Sequence, residues 1–382
     1  MKHLVFLTEH LSFGGAERAL VEYLSCIDKT KYKVSLIVRD EVPENYLLES
    51  VPKDVAVKII YRQDDAQNIS GFSRFRKRFF PKLDLTIRIK KALKDFGGCD
   101  LILDFTSVLL KQAHYFPGYK KIYWIHGPKS HMGPAELKKF SLRLRSYDRV
   151  AVVSKHLKTE LEHLLPHVSK KIVCIYNPFD FGRIAASAGD ESELSRTDKE
   201  LIKKPYLLAV GRFAVEKDYQ TLIDTYKILK DQNVGYKLYI IGDGPGRTAI
   251  QSRIMDLKLQ NDIVLLGARI NPYIWMKNSF MFVHSAKIEG FGLVIVEAMG
   301  LGKAVVVTNC PVGPKEILED GKFGWLVPVE DSAEMAAAIQ ALTQNEELRV
   351  QAQSLSLKRA EDFSAANLLP DFYKIINETL EL

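Results

Sequence analysis

The sequence predicts an α/β protein of two domains, each a parallel sheet covered by helices on both faces, with room in the length for a third. Three observations carry this. The chain has 382 residues, more than a single hydrophobic core usually serves. Short apolar runs alternate with helical stretches along most of it, the pattern of strands buried on both faces. Each half also contains a strand, a glycine-bearing turn and a helix in succession, at 3–24 and at 280–302. A helix that starts behind such a turn presents unpaired N–H groups and the positive end of its dipole, which suits a phosphate.

Composition narrows the class. Hydrophobic residues make up 47%, enough for two sizeable cores. No apolar run reaches the ~18–20 residues of a membrane span. Leu4–Leu7 is too short for the apolar region of a signal peptide. Cys26, Cys99, Cys174 and Cys310 lie far apart, without a C-x-x-C or a His/Cys cluster. They read as reduced, mostly buried residues of a cytoplasmic protein, not as a disulfide framework or a zinc site. There is also no D-x-D triplet to clamp a metal against a diphosphate, so no metal is expected.

The first half begins with a strand at His3–Thr8, which feeds S-F-G-G-A-E-R (Ser12–Arg18) and a helix with Leu20, Val21 and Leu24 inward. Gly14 and Gly15 allow a ligand to approach the backbone closely, although most glycine pairs are ordinary turns. Strands follow at Lys33–Val38, Val55–Ile60, Leu101–Asp104, Lys121–Ile125 and Arg149–Val153, with helices at Ala135–Leu144 and His156–Leu165. His126-Gly127-Pro128 closes the strand that ends at Ile125. Its imidazole is therefore expected at a carboxyl end, where open α/β sheets hold ligands. A lone histidine is more often structural, and His10, His114 and His131 have weaker cases.

Charge is concentrated in one place. The chain carries a net +7, and residues 71–97 hold nine Lys/Arg against two Asp, which accounts for all of it. From Leu85 on, Leu85, Ile89, Ala92, Leu93 and Phe96 make a helical stripe. Phe72 to Phe80 reads as a basic, aromatic loop. Basic residues near an anionic leaflet each contribute about 1 kcal/mol, and aromatic rings can bury in the interface. An anionic membrane surface is therefore the expected partner of 71–97, with a solvated basic face as the bland alternative. Nucleic acid is not expected, because no nucleic-acid module accompanies the charge.

Asn177-Pro178 closes the first half, and the polar stretch at 181–204 reads as an interdomain linker. The domains are then 1–180 with about 364–382, and 205–363. In the second half Tyr206–Gly211 is a strand, followed by G-R-F-A-V-E-K-D and a helix at Tyr219–Leu229 with Asp218 as its N-cap. Arg212 and Lys217 stand at the carboxyl end of that strand; surface exposure is the usual fate of such residues. Lys237–Ile241 leads into Gly242-Asp243-Gly244-Pro245, and Ile263–Leu266 into G-A-R-I-N-P-Y, which contains Arg269 and Ile270. Phe280–His284 is a buried strand, Gly290 and Gly292 make the turn, and Leu293–Met299 is the helix. Strands at Ala304–Thr308 and Trp325–Pro328, helices over Ser332–Glu361 and a last helix at Ala365–Leu380 complete the chain.

The run E-G-F-G-L-V-I-V-E-A-M (Glu289–Met299), followed by G-L-G-K, resembles the E-x7-E motif of retaining nucleotide-sugar glycosyltransferases of family 4. The resemblance covers essentially the whole chain, strongest over 206–328 and weaker before Leu101. G-G-A-E-R, G-R-x-x-x-E-K, the strand-end His126 and the G-P-K-E-I-L turn (Gly313–Leu318) all resemble that family. N-P-F-D stands where relatives more often have N-G-V-D. The resemblance implies the GT-B architecture: two facing Rossmann-like domains, with a C-terminal helix crossing back to the first. It further implies retaining, metal-independent transfer of a hexose or N-acetylhexosamine from a nucleotide diphosphate sugar, most often a UDP-sugar. The expected acceptor is a glycan or lipid-linked glycan in bacterial surface polysaccharide assembly, and it is the basic segment 71–97 that points to a lipid-linked one at the inner face of the cell membrane.

By the same resemblance, Arg212 and Lys217 grip the pyrophosphate, with Gly211, Gly242 and the backbone over Gly290, Phe291, Gly292 and Leu293 around the donor. Glu289 holds hydroxyls of the transferred sugar, and Glu297 holds the ribose. Backbone groups near Arg269 and Ile270 hold the base. His126 lies beside the sugar and acceptor, and Gly14-Gly15 lie over the diphosphate. No cofactor is implied beyond the donor substrate. The rivals are a nucleotide-sugar 2-epimerase of the same architecture and a non-catalytic GT-B-like scaffold. A dinucleotide oxidoreductase is disfavoured, because no G-x-G-x-x-G with a following acidic residue succeeds any strand.

Overall fold

The computed structural model describes residues 1–12, 14–62 and 80–382. The chain divides into two compact units, Met1–Pro178 with Leu368–Leu382, and Phe179–Asn367.

In the first unit the strands are β1 (Lys2–Thr8), β2 (Tyr32–Asp40), β3 (Ala56–Tyr61), β4 (Leu101–Asp104), β5 (Lys120–Ile125), β6 (Arg149–Val152) and β7 (Ile172–Cys174). They pair in parallel in the order β3-β2-β1-β4-β5-β6-β7. Leu4 to Leu7 and Leu101 to Leu103 are completely buried, as central strands covered on both faces must be. The helix Gly15–Cys26 buries Leu20, Val21 and Leu24 as its pattern predicts. Its Tyr23 ring packs against Phe105, Trp124 and Phe372 at 5.9, 5.4 and 5.2 Å. Chain order reverses direction between β1 and β4, and the Thr8 and Thr106 hydroxyls bond to each other at 3.1 Å there.

The helix of the basic segment runs over Pro81–Asp95 and turns Leu85, Ile89, Ala92 and Leu93 inward. It begins a turn earlier than the stripe suggests, because Pro81 suits the first helical position, where a missing N–H costs nothing. The basic stretch expected to meet a membrane, with Arg74, Arg76, Lys77 and Arg78, lies outside the described residues.

In the second unit β8 (Tyr206–Val210), β9 (Lys237–Ile241), β10 (Ile263–Gly267), β11 (Met281–His284), β12 (Val305–Thr308) and β13 (Trp325–Val327) form a parallel sheet. Its order is β10-β9-β8-β11-β12-β13. Leu222, Ile223, Tyr226 and Leu229 of the helix Tyr219–Asp231 join Met281, Val283 and Val306 in the core on one face of the sheet. Asp218 caps this helix from a left-handed backbone conformation, accepting from the Thr221 hydroxyl at 2.6 Å.

The expected linker at 181–204 is corrected by the structure. The division falls at Pro178/Phe179, and residues 181–204 belong to the second unit. They contain helices Phe181–Ser187 and Arg196–Leu201. Their polar residues serve as caps: Asp180 accepts from the Arg183 N–H at 2.9 Å, and Ser195 forms a capping box with Asp198. The final helix, Ala365–Glu381, follows a short 3-10 turn at Glu361–Phe363, and the chain rejoins the first unit at Leu368.

Candidate active site

In an open α/β sheet, ligands bind outside the carboxyl ends of the strands where chain order reverses. In the second unit that point lies between β8 and β11. Lys217 follows β8 and Glu289 follows β11. Their loops are joined through the Lys287 N–H on the Glu216 carbonyl at 2.8 Å and the Ser285 hydroxyl on the Lys217 carbonyl at 3.0 Å. The Lys217 ammonium consequently meets the Glu289 carboxylate in an ion pair. His284, the last residue of β11, places Nε2 at 2.6 Å from the same carboxylate oxygen, Oε1.

Burial by itself raises the Glu289 carboxyl pKa. The Lys217 charge and the His284 hydrogen bond outweigh it and hold the group at about 2. Glu289 is therefore ionised, and its oxygens can only accept. His284 Nε2 must carry the proton of that bond.

The strand ends beside this pair leave little room for side chains. The Gly211 N–H donates to the Ile241 carbonyl at 3.0 Å, and the Gly242 N–H to the Gly267 carbonyl at 2.9 Å. The Tyr219 hydroxyl donates to the Gly211 carbonyl at 2.8 Å. A Cβ on Gly242 would come within 1.9 Å of the Gly211 oxygen, so no larger residue fits. The turn after Glu289 has the same character. Gly292 sits at φ 106, and a Cβ there would meet Ile295 at 2.9 Å. Behind it the helix Leu293–Gly300 starts without a side-chain cap; the Ile295 N–H turns back to the Gly292 carbonyl at 3.0 Å, so only the N–H groups of Leu293 and Val294 can face a ligand. Phe291 is buried edge-on against Phe363 at 5.5 Å.

Glu297, on that helix, is buried and accepts from the Tyr273 hydroxyl at 3.2 Å. Arg212 differs from Lys217. Its side chain is 62% exposed and pairs with Glu216 at 2.7 Å, whereas Lys217 is 19% exposed. Arg269 bonds Asp198 at 2.9 Å and lies over the Trp275 ring. Its guanidinium thus braces the helix Arg196–Leu201. Ile270 is exposed.

In the first unit Gly14 is the N-cap of the helix that follows β1, and Gly15 is the first residue of that helix. His10 bonds Ser12 at 2.8 Å and lies 3.7 Å from Glu17. His126 Nε2 is 2.8 Å from the Phe105 carbonyl, with the two rings 4.6 Å apart. A carbonyl only accepts, so Nε2 carries the proton and Nδ1 keeps its lone pair. Burial pushes the His126 pKa down to about 4, although the Phe105 bond opposes this. At neutral pH the ring is uncharged and offers an acceptor at Nδ1.

Lys217, Glu289 and the glycine-lined strand ends are thus brought together within the second unit. His284 and Tyr273 were not singled out from the sequence. His284 carries the same strand-end signal that marked His126. Tyr273 gave none, since its partner Glu297 is distant in the chain.

The reversal point of a doubly wound unit, with a glycine turn and a helix N-terminus beside it, is a class of site that binds ligands and suits anionic ones. The family model described as "Glycosyl transferases group 1" matches residues 191–357, and that described as "Glycosyltransferase Family 4" matches residues 13–183. The chain belongs to the family 4-type glycosyltransferases of GT-B fold.

Among its relatives is the N-acetylgalactosamine-N,N'-diacetylbacillosaminyl-diphospho-undecaprenol 4-alpha-N-acetylgalactosaminyltransferase of Campylobacter jejuni, 25% identical over 98% of this chain and 100% of that protein. A second Campylobacter jejuni protein, an alpha-1,4-N-acetyl-D-galactosaminyltransferase acting on a diNAcBac-PP-undecaprenol-linked glycan, is 24% identical over 99% of each. In fold, the chain is similar to Anabaena HepE in complex with UDP-glucose, with a TM-score of 0.79 and 20% identity over 99% of this chain and 100% of that one.

Proposed function

We propose that the protein is a retaining, metal-independent glycosyltransferase that moves a hexose or N-acetylhexosamine from a UDP-sugar to a glycan or lipid-linked glycan acceptor. The observation that carries this reading is the buried Lys217–Glu289 pair at the β8/β11 reversal. It supports the reading because it offers one cation to a diphosphate and one ionised carboxylate to which sugar hydroxyls can donate.

When the glycosidic bond breaks, negative charge grows on the leaving diphosphate. Lys217, Arg212 and the N–H groups at the start of the helix Leu293–Gly300 supply a preorganised positive field for it. Glu289 orients the sugar through its hydroxyls, and Glu297, steadied by Tyr273, takes the ribose. In the first unit, which we read as the acceptor side, neutral His126 accepts a hydroxyl proton at Nδ1 in a hydrogen bond. The leaving phosphate is the base that takes the acceptor's proton on the same face of the sugar, which retains configuration.

The Campylobacter relatives' undecaprenol-linked acceptors support a lipid-linked acceptor, and the HepE complex supports a UDP-sugar. A membrane-apposed position is supported by the helix Pro81–Asp95. Phe80, Leu83 and Ile87 are 54%, 51% and 40% exposed, and Lys90, Lys91 and Lys94 continue the same outward side. Among the described residues no helix is long and apolar enough to cross a membrane, so contact would be peripheral.

The test is a panel of nucleotide sugars, assayed for release of nucleotide diphosphate with and without a chelator. Release from a UDP-sugar that survives chelation is expected. Silence across the panel would remove the donor assignment, loss on chelation would remove metal independence, and epimerisation without release would favour the isomerase.

A further inference from the structure

We propose that His284 is a positioning residue that keeps Glu289 aimed at the transferred sugar when the donor's diphosphate draws Lys217 away. The proposal rests on the donor-site reading above. One oxygen, Glu289 Oε1, receives both the Lys217 ammonium and His284 Nε2. The two donors are not equivalent.

Lys217 ends a short 3-10 turn and carries its charge on a flexible stem with three N–H groups. It can swing from a carboxylate to a phosphate. His284 belongs to a regular strand, in register with Val307 of β12. Alternation along β11 sends Met281 and Val283 into the core on one face and His284 to the other, with Phe282. There its ring lies nearly parallel to Phe282, at 16° and 6.3 Å, and its side chain is 5% exposed. It cannot follow a ligand.

A phosphate in the site competes for the ammonium that now serves Glu289. A buried carboxylate stripped of its donors would turn, or take up a proton. The fixed Nε2–H prevents both. It holds Oε1 in place while the carboxylate serves the sugar hydroxyls. This role separates binding of the nucleotide from use of the sugar: the diphosphate needs Lys217, and the sugar needs a carboxylate held by something that does not move.

The experiment compares His284→Leu, His284→Gln and His284→Asn, each checked by circular dichroism and melting temperature. Turnover is measured with a UDP-sugar that the wild type uses, and affinity with UDP alone. Losing a hydrogen bond to a charged group predicts that His284→Leu falls at least about ten-fold in turnover, with UDP affinity within about three-fold of wild type. Gln can present an N–H near the same place and should restore most of the turnover. Asn, which is shorter, should not. If the Leu variant fails to fold, the contrast between Gln and Asn carries the test.

Unchanged turnover in His284→Leu, or Gln no better than Asn, overturns the role. So does an equal loss of UDP affinity and turnover, the mark of a merely structural residue. A wild type that turns over no UDP-sugar sinks the donor-site reading and this role with it. Wild-type turnover beside an unaffected Leu variant sinks the role alone.

Discussion

The Lys217 ammonium is paired with the Glu289 carboxylate across 72 residues of sequence, in a part of the second unit largely closed to solvent. Such a pair is costly to break from one side, because the remaining charge is left buried without its counter-charge. On the donor-site reading proposed above it also stands ready for exchange, with a diphosphate taking the cation and sugar hydroxyls the carboxylate.

From this follows the behaviour of the two cations. Lys217→Ala should lower turnover by about 10²–10³, the range for losing a preorganised donor to a developing charge. Arg212→Ala should lower it by at least about ten-fold, since a single charge-assisted bond is worth roughly 1.5–3 kcal/mol. Steady-state rates on folded variants check this. Near-wild-type rates in both would take these residues out of the site.

The two glutamates should separate by ligand. Glu297→Ala is expected to weaken UDP itself, since the ribose contact proposed for it would be present with or without the sugar. Glu289→Ala should weaken the intact donor, or its turnover, far more than bare UDP. Titration calorimetry with both ligands reads the difference, and equal losses for both ligands in both variants would refute the division.

Two groups in the first unit should give opposite slopes of stability against pH. Burial pushes the Asp104 carboxyl up to about 7, against the Tyr147 hydroxyl and the Leu109 N–H, which lower it. Asp104 binds its proton more tightly when folded, so it takes stability away as pH rises from about 4 to about 7. His126, held down to about 4, is protonated more readily in the unfolded chain, so the fold loses stability as pH falls from 6.5 toward 4. Asp104→Asn should therefore gain on the wild type as pH rises toward 7. His126→Gln should gain on it as pH falls toward 4. Each effect should be on the order of 1–2 kcal/mol, allowing for partial solvent screening. Melting curves between pH 4 and 7.5 test this, and parallel curves for wild type and variants would contradict it.

Vesicle flotation tests the basic segment. Binding to anionic vesicles should fall as salt rises, because exposed charges are screened within a Debye length of about 10 Å at 0.1 M. Charge reversal to Glu at Arg74, Arg76, Lys77 and Arg78 should abolish it. Ser at Leu83 and Ile87, which are exposed on the described helix, should weaken it at every salt concentration. Unaltered flotation with donor hydrolysis intact would remove the membrane contact.

The sequence by itself determined most of the elements and the family to which they belong. Strands buried on both faces must be continuously apolar, so β1, β4, β8 and β11 announce themselves. Gly292 had to be glycine because its backbone lies where side chains are strained, and the spacing of Glu289 and Glu297 puts one carboxylate before the turn and the other on the helix. The polar stretch at 181–204 misled, because residues that cap helices are the same residues that fill linkers. Tertiary structure decided the rest. Parallel strands are joined by crossovers, so the neighbours of β8 are set by sheet order and not by position in the chain. Only that order brings Lys217 to Glu289, seats His284 on the same oxygen and turns Tyr273 toward Glu297. Burial then settles the charge states, because the cost of an ion depends on everything packed around it, and no local stretch of sequence contains that information.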